Sequence, residues 1–147
     1  MRMTSSLKTN NGKGIDMNYF EIFKKYDRQE LVFGERDCLL MILEYIESPY
    51  YNKLKNRYKT IIGCKRLTEF KHVEDYLSTV CIKINPRLIR NGDLVVSDIH
   101  SGIFHSDLVL GVVPGNKFGL YRFDLNTDIT VWRLKSNGSV SNSSCGN

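Results

Sequence analysis

The hydrophobic residues change their spacing about halfway along the chain. In the first half, aromatic and aliphatic side chains recur at helical spacing, at Tyr19, Ile22, Phe23 and Tyr26. The run from Cys38 to Ile46 is apolar nearly all round, which predicts a central, buried helix that ends before Pro49. Residues 58–70 and 72–80 predict two shorter helices.

The second half of the chain has the pattern of short strands. β-rich runs cover 93–96, 108–113, 118–123 and 129–134. Turn-forming residues separate them, at 90–92, 114–116 and 126–128. Helices followed by a meander of strands predict an α+β fold, in which the N-terminal helices, including the cysteine-bearing one, pack on a C-terminal antiparallel sheet.

The ends of the chain differ in composition from the middle. Residues 1–17 are mostly polar and predict a flexible leader, and residues 136–147 are rich in Ser, Asn and Gly and predict a flexible tail. One domain is therefore expected over 18–135. The net charge is +5, but the Lys and Arg residues form no dense run, which argues against a nucleic-acid partner. No run reaches the ~20 apolar residues of a membrane span, so no membrane partner is expected.

The sharpest local feature is the segment from Phe33 to Cys38. Gly34 permits a tight turn, Asp37 can cap the following helix, and Cys38 lies in its first turn. Free N–H groups and the helix dipole favour a thiolate there, which suits a nucleophile. A buried structural cysteine at the start of a core helix fits the same pattern. The four cysteines have neither CxxC nor zinc-ligand spacing, so we expect no metal and no cofactor.

A nucleophilic thiol needs a base within hydrogen-bond reach. The candidates are His72 in a predicted helix, and His100 and His105, which flank the segment 101–104 between two predicted strands. Side chains that could orient such a base are Asp98, Asp107, Tyr121 and Asp124.

Three motifs together resemble the NlpC/P60 group of papain-like cysteine peptidases. They are Gly34-Glu-Arg-Asp-Cys38 before an apolar helix, Asn91-Gly-Asp-Leu-Val-Val96, and Leu110-Gly-Val-Val-Pro-Gly-Asn116. More narrowly, the order is similar to a phage-encoded branch of this group, with a mid-region Tyr, here Tyr58, and a late Trp132-Arg133 pair.

The resemblance implies that Cys38 is the nucleophile, but two alignments compete for the base. One places His105 at the catalytic position. The other matches the Gly-rich stretch after Gly111 and places Val109 there, which removes the base. The third, polar member would be Asp124 or Tyr121. We take Cys38, His105 and Asp124 as the predicted site.

The resemblance also implies a function. We expect a phage-associated cysteine hydrolase, a peptidase or amidase, that cuts peptide bonds of bacterial peptidoglycan and is made in the host cytoplasm. The alternative is a catalytically degenerate structural protein of a phage virion or tail. In both cases other virion or tail proteins are possible partners.

Overall fold

The computed structural model describes residues 15–68, 70, 72–97 and 100–135. Within them the helices are α1 (Ile15–Tyr26), α2 (Cys38–Tyr45), α3 (Tyr50–Leu54), α4 (Ile61–Leu67), α5 (Val73–Val80) and a short 3-10 helix (Pro86–Leu88). The strands are β1 (Cys81–Ile84), β2 (Leu94–Val96), β3 (Ser101–His105), β4 (Leu108–Val113), β5 (Lys117–Arg122) and β6 (Thr130–Leu134). Within the described part of the chain, no helix is long and apolar enough to cross a membrane.

The strands form a single sheet in the order β1-β6-β2-β3-β4-β5. Every neighbouring pair is antiparallel. Strands β2 to β5 follow one another as hairpins, and β6 returns to pair between β1 and β2. The predicted α+β class with an antiparallel sheet is therefore confirmed.

The predicted central helix is confirmed and is largely buried. Leu40, Met41 and Ile42 of α2 are fully buried. They join a cluster that includes sheet residues such as Ile103 and Leu110, and α2 packs against β3. Each side chain of this size contributes roughly 1.5–3 kcal/mol when it leaves water, so α2 anchors the helical layer on the sheet. A smaller cluster around Val95, Phe104 and Val109 covers the opposite face of the sheet.

The structure differs from the predicted elements in several places. Strands β1 and β3 were not predicted, and the helix expected over 58–70 is shortened to α4. Thr60 caps α4, because its hydroxyl accepts a hydrogen bond from the Gly63 N–H at 3.0 Å. Helix α1 begins at Ile15, before the predicted start of the domain at 18. The remaining leader, 1–14, and the tail, 136–147, lie outside the described residues.

A buried ion pair holds the middle of the sheet together. Asp93 is 2% exposed, and its two carboxylate oxygens accept hydrogen bonds from Nε and Nη2 of Arg133, both at 2.9 Å. Asp93 also accepts the N–H of Arg90 at 2.9 Å. These contacts join the turn before β2 to β6. The Gly-Asp-Leu-Val and Trp-Arg motifs therefore meet in a structural pair.

Replacing Arg133 by Met should destabilise the domain. The change keeps most of the aliphatic stem but leaves the Asp93 carboxylate buried without its cation. We expect a loss of about 2–4 kcal/mol in the free energy of unfolding, measured by urea denaturation and circular dichroism. Arg122→Met, at an exposed strand position, is the control and should change stability by less than about 0.5 kcal/mol. Equal effects of both changes would contradict this account.

Candidate active site

The turn before α2 is organised around the carboxylate of Asp37. This side chain is 3% exposed, as the N-cap of α2. Its oxygens accept hydrogen bonds from the N–H of Leu40 at 2.8 Å, from the N–H of Gly34 at 2.9 Å and from the hydroxyl of Tyr58. The predicted cap is confirmed, and its partners fix where Cys38 starts the helix.

Position 34 of this turn accepts only glycine. Its φ is +85°, a conformation that side-chain-bearing residues rarely adopt. A Cβ at this position would lie 1.7 Å from the carbonyl oxygen of Tyr58. The segment containing Tyr58 therefore packs directly on the turn, and the Asn56 N–H donates to the Gly34 carbonyl at 2.6 Å.

The sulfur of Cys38 lies among backbone N–H groups but is largely removed from water. Burial raises the pKa of the Cys38 thiol to about 11, against the lowering effect of a hydrogen bond from the Ser101 N–H. The Asp37 carboxylate raises it further, whereas the N–H groups of Cys38 and Leu39 lower it. The thiol is therefore protonated at neutral pH, and a base has to remove the proton before the sulfur can attack.

His100 is the histidine that the structure brings to this sulfur. It directly precedes Ser101, whose N–H hydrogen-bonds the sulfur, so the Cα of His100 lies within about 7 Å of Sγ. Ser97 holds the backbone of His100: its N–H donates to the His100 carbonyl at 2.8 Å, and its hydroxyl oxygen accepts the His100 N–H at 3.2 Å. The backbone of His100 is thus held next to the residue that contacts the sulfur.

Cys38 and His100 line the same cavity. Its volume is about 680 Å³, and it lies between α2 and the segments that carry α3, α4 and α5. His72 and Cys64 also line it. Cys38 thus borders a space that could admit a substrate.

The structure does not bring His105 to Cys38. His105 ends β3, four residues beyond Ser101, or about 13 Å at the rise of a strand. Its ring stacks on Tyr19 of α1, with centroids 4.3 Å apart, and meets the edge of Phe20 at 5.3 Å. The histidine predicted as the base therefore packs under α1 at the far end of the strand.

The other predicted site residues also lie in different parts of the structure. Val109, the competing position, is fully buried in the cluster on the opposite sheet face. Asp124 lies after β5, where its carboxylate accepts the Asn126 N–H at 2.9 Å in an exposed turn. Tyr121, the alternative to Asp124, packs against the same cluster as Val109. Burial raises its pKa, and a negative Cys38 raises it further. Asp98 falls outside the described residues.

Tyr121 covers the glycine at the middle of β4. A Cβ at Gly111 would lie 3.1 Å from Cε2 of Tyr121 and 3.4 Å from the carbonyl oxygen of Ser101. Because Gly111 has no side chain, the phenol of Tyr121 fits beside β3, the strand that His100 precedes.

Comparison with known families identifies one match. The model of a domain of unknown function, DUF6950, matches residues 15–134. The chain belongs to this family. No curated protein and no solved structure matches it. The DUF6950 match covers all the residues that form the cavity, so the site lies within the domain that defines the family.

The cavity of this DUF6950 domain brings a different histidine to Cys38 than the predicted His105. His100 was a candidate, but the alignments considered only positions 105 and 109. The signal that could have identified 101–105 as a strand is the alternation of Ser101, Ile103 and His105 on one face. A strand of this length places His100 and His105 at opposite ends. Among the described residues, no group of three or more His, Cys, Asp or Glu side chains could hold a metal ion.

The raised pKa of Cys38 predicts a loss of stability at alkaline pH. The folded DUF6950 domain keeps this proton up to about pH 11, whereas an ordinary thiol releases it near 9.0. The folded state therefore binds more protons than the unfolded state in this window, and the free energy of unfolding falls as pH rises through it. The stabilisation that this proton contributes to the folded state is complete below about pH 9.

Urea denaturation at pH 8 and at pH 10.5 checks this expectation in the wild type and in Cys38→Ala. The wild type should lose more stability between the two pH values than the variant does. Comparing the two proteins removes the contributions of the tyrosines, whose burial also raises their pKa values. Identical losses would show that the sulfur is exposed to water.

Proposed function

We propose that this domain is a cysteine hydrolase that cuts amide bonds, with Cys38 as nucleophile and His100 as base. The observation that carries the proposal is the position of both residues on one cavity, with the sulfur hydrogen-bonded by the residue next to His100. Nucleophile, base and an accessible space are the parts that thiol-dependent acyl transfer requires.

The reaction would proceed in two balanced steps. His100 takes the proton of the Cys38 thiol as the sulfur attacks the carbonyl carbon, and the N–H groups at the start of α2 stabilise the oxyanion. The C–N bond then breaks, the imidazolium protonates the leaving amine, and a thioester remains. In the second step His100 takes a proton from water, the hydroxide attacks the thioester, and the carboxylic acid leaves as the proton returns to the sulfur.

The third polar member in this proposal is Tyr121. Its phenol packs over Gly111, where the carbonyl oxygen of Ser101 also lies, from the sheet face that carries Val109. Asp124 has its carboxylate engaged in its own turn. We therefore assign Tyr121 a positioning role for the strand end that carries His100.

The resemblance to NlpC/P60 proteins supports the substrate and the setting. Three of its motif residues, Gly34, Asp37 and Tyr58, form the turn before Cys38. The Asp93–Arg133 pair joins the other two motifs at the end of β2 that lies beside Phe104. We propose that the domain has an NlpC/P60-like fold and acts on the peptide bonds of bacterial peptidoglycan as a phage-associated protein.

Peptidoglycan digestion with matched histidine variants tests the enzymatic proposal. We expect release of soluble peptides by the wild type and none by Cys38→Ala. His100→Ala should lose about 10²–10⁴-fold in rate, because it removes the general base. His105→Ala, the control at the other end of β3, should keep a rate within about threefold of wild type once circular dichroism shows that it is folded.

Two outcomes would contradict the assignment. Equal release by wild type and Cys38→Ala would exclude the sulfur as nucleophile. A larger loss in folded His105→Ala than in His100→Ala would return the role of base to His105.

A second candidate function is a structural virion or tail protein with an inactive site. The specific observation in its favour is the burial that keeps the Cys38 thiol neutral. This function predicts a fixed copy number in purified virions and alkylation of Cys38 by iodoacetamide no faster than that of a free thiol with the same pKa. Quantitative mass spectrometry of virions measures the first, and absence of the protein from them would exclude this function.

A further inference from the structure

The cavity extends well beyond the two reacting residues. Leu39 and Leu43 of α2 both line it, and they lie one helical turn apart, or about 6 Å. Leu54 and Val73 line it from the opposing helices. A substrate group that enters beside Cys38 would therefore continue along α2 into a largely apolar space.

Aromatic rings form the wall at the far end. Tyr50, Phe70 and Tyr76 pack on one another with ring centroids 5.0–5.9 Å apart. The hydroxyl of Tyr76 is hydrogen-bonded to the Ser48 hydroxyl at 2.6 Å, so its polar end is satisfied within the protein. Edge-to-face packing of this kind offers ring surface for a further aromatic or branched aliphatic group.

The charges around the cavity are unfavourable for an ionic group. Among the described residues that line it there is no Lys or Arg, and Asp37 is the acidic one. Both oxygens of Asp37 are already bound by Gly34, Leu40 and Tyr58. The Lys53 ammonium lies over the Tyr50 ring, 5.1 Å from its centroid, but Lys53 is not among the residues that line the cavity. A carboxylate or ammonium group that entered would therefore lose its hydration without an unengaged charged partner of opposite sign, Lys, Arg, Asp or Glu, among the described lining residues.

We infer, on the basis of the thiol hydrolysis proposed above, that this cavity binds the acyl side of the substrate and selects a neutral aromatic or branched aliphatic group there. The acyl part is bonded to Cys38 from the end of the first half-reaction until water cleaves the thioester in the second, so it must fit beside the sulfur. Peptidoglycan stem peptides, with their alanine and charged side chains, would fill this cavity poorly, so the inference rests on the thiol hydrolysis alone and not on the peptidoglycan substrate. The volume of the cavity exceeds what an alanine methyl group fills, which points to bulkier neutral residues.

A series of fluorogenic amides tests the selectivity. The substrates are acetyl-X-aminomethylcoumarin amides in which X is Phe, Leu, Ala, Glu or Lys. We expect kcat/KM for Phe and Leu to exceed that for Ala by about 10-fold, and that for Glu and Lys by about 100-fold. Equal values across the series would overturn the inference while leaving the hydrolase proposal intact.

A cationic variant sharpens the test. Phe70→Lys places an ammonium group at the aromatic wall and should lower the Phe-to-Glu ratio of kcat/KM by about 10-fold or more. Phe20→Lys adds the same charge at an exposed position on α1 and should leave the ratio unchanged. Equal ratios in the two variants would show that Phe70 does not contact the substrate.

Protection of Cys38 from iodoacetamide tests the cavity without catalysis. Acetyl-phenylalaninamide should slow alkylation of Cys38, measured by mass spectrometry, at concentrations at which acetyl-glutamate amide has no effect. If no amide in the series is hydrolysed but this protection is seen, the proposed function fails and the neutral binding site stands. If neither compound protects, the inference about the cavity is wrong.

Discussion

The carboxylate of Asp37 joins three stretches of chain at the amino end of α2. It caps the helix through Leu40, closes the turn at Gly34 and holds Tyr58. A buried carboxylate with several donors is costly to disturb, because each lost partner leaves charge without compensation. Burial raises the pKa of the neighbouring thiol and the same carboxylate raises it further, so the residue that positions the sulfur also helps to keep it protonated. Reactivity then depends on a base from outside the helix.

Much of this architecture could be predicted from the sequence because it depends on local rules. An apolar run bounded by a capping residue and a proline specifies a buried helix, and α2 begins at the predicted Cys38 with Asp37 as its cap. The change from helical spacing to short β-rich runs specified the layer order and the antiparallel sheet. These patterns lie within a few residues of one another, so no knowledge of tertiary contacts was needed.

The histidine that lines the cavity with Cys38 at this end of β3 could not be chosen in the same way. His100 and His105 are separated by one short strand, and Ser101 and Gly102 weaken the strand signal between them. Which end of β3 faces Cys38 is decided by how α2 packs across the sheet, which is a contact between distant segments. Strand β1 was overlooked because it follows α5 without a turn-forming residue.

The contact between Gly34 and the Tyr58 carbonyl has a consequence for anyone who moves this site to another scaffold. The carbonyl oxygen of Tyr58 fills the space that a side chain at position 34 would need. The hydrogen bond from the Asn56 N–H to the Gly34 carbonyl fixes the distance between the two segments. A graft that carried only the turn at Gly34 and helix α2 would lose Tyr58. The backbone of this residue packs on Gly34, and its phenol donates a hydrogen bond to the Asp37 carboxylate. The smallest transplantable piece is therefore the continuous segment 34–58, which brings α3 with it and has to be recombined with β3 as a second fragment.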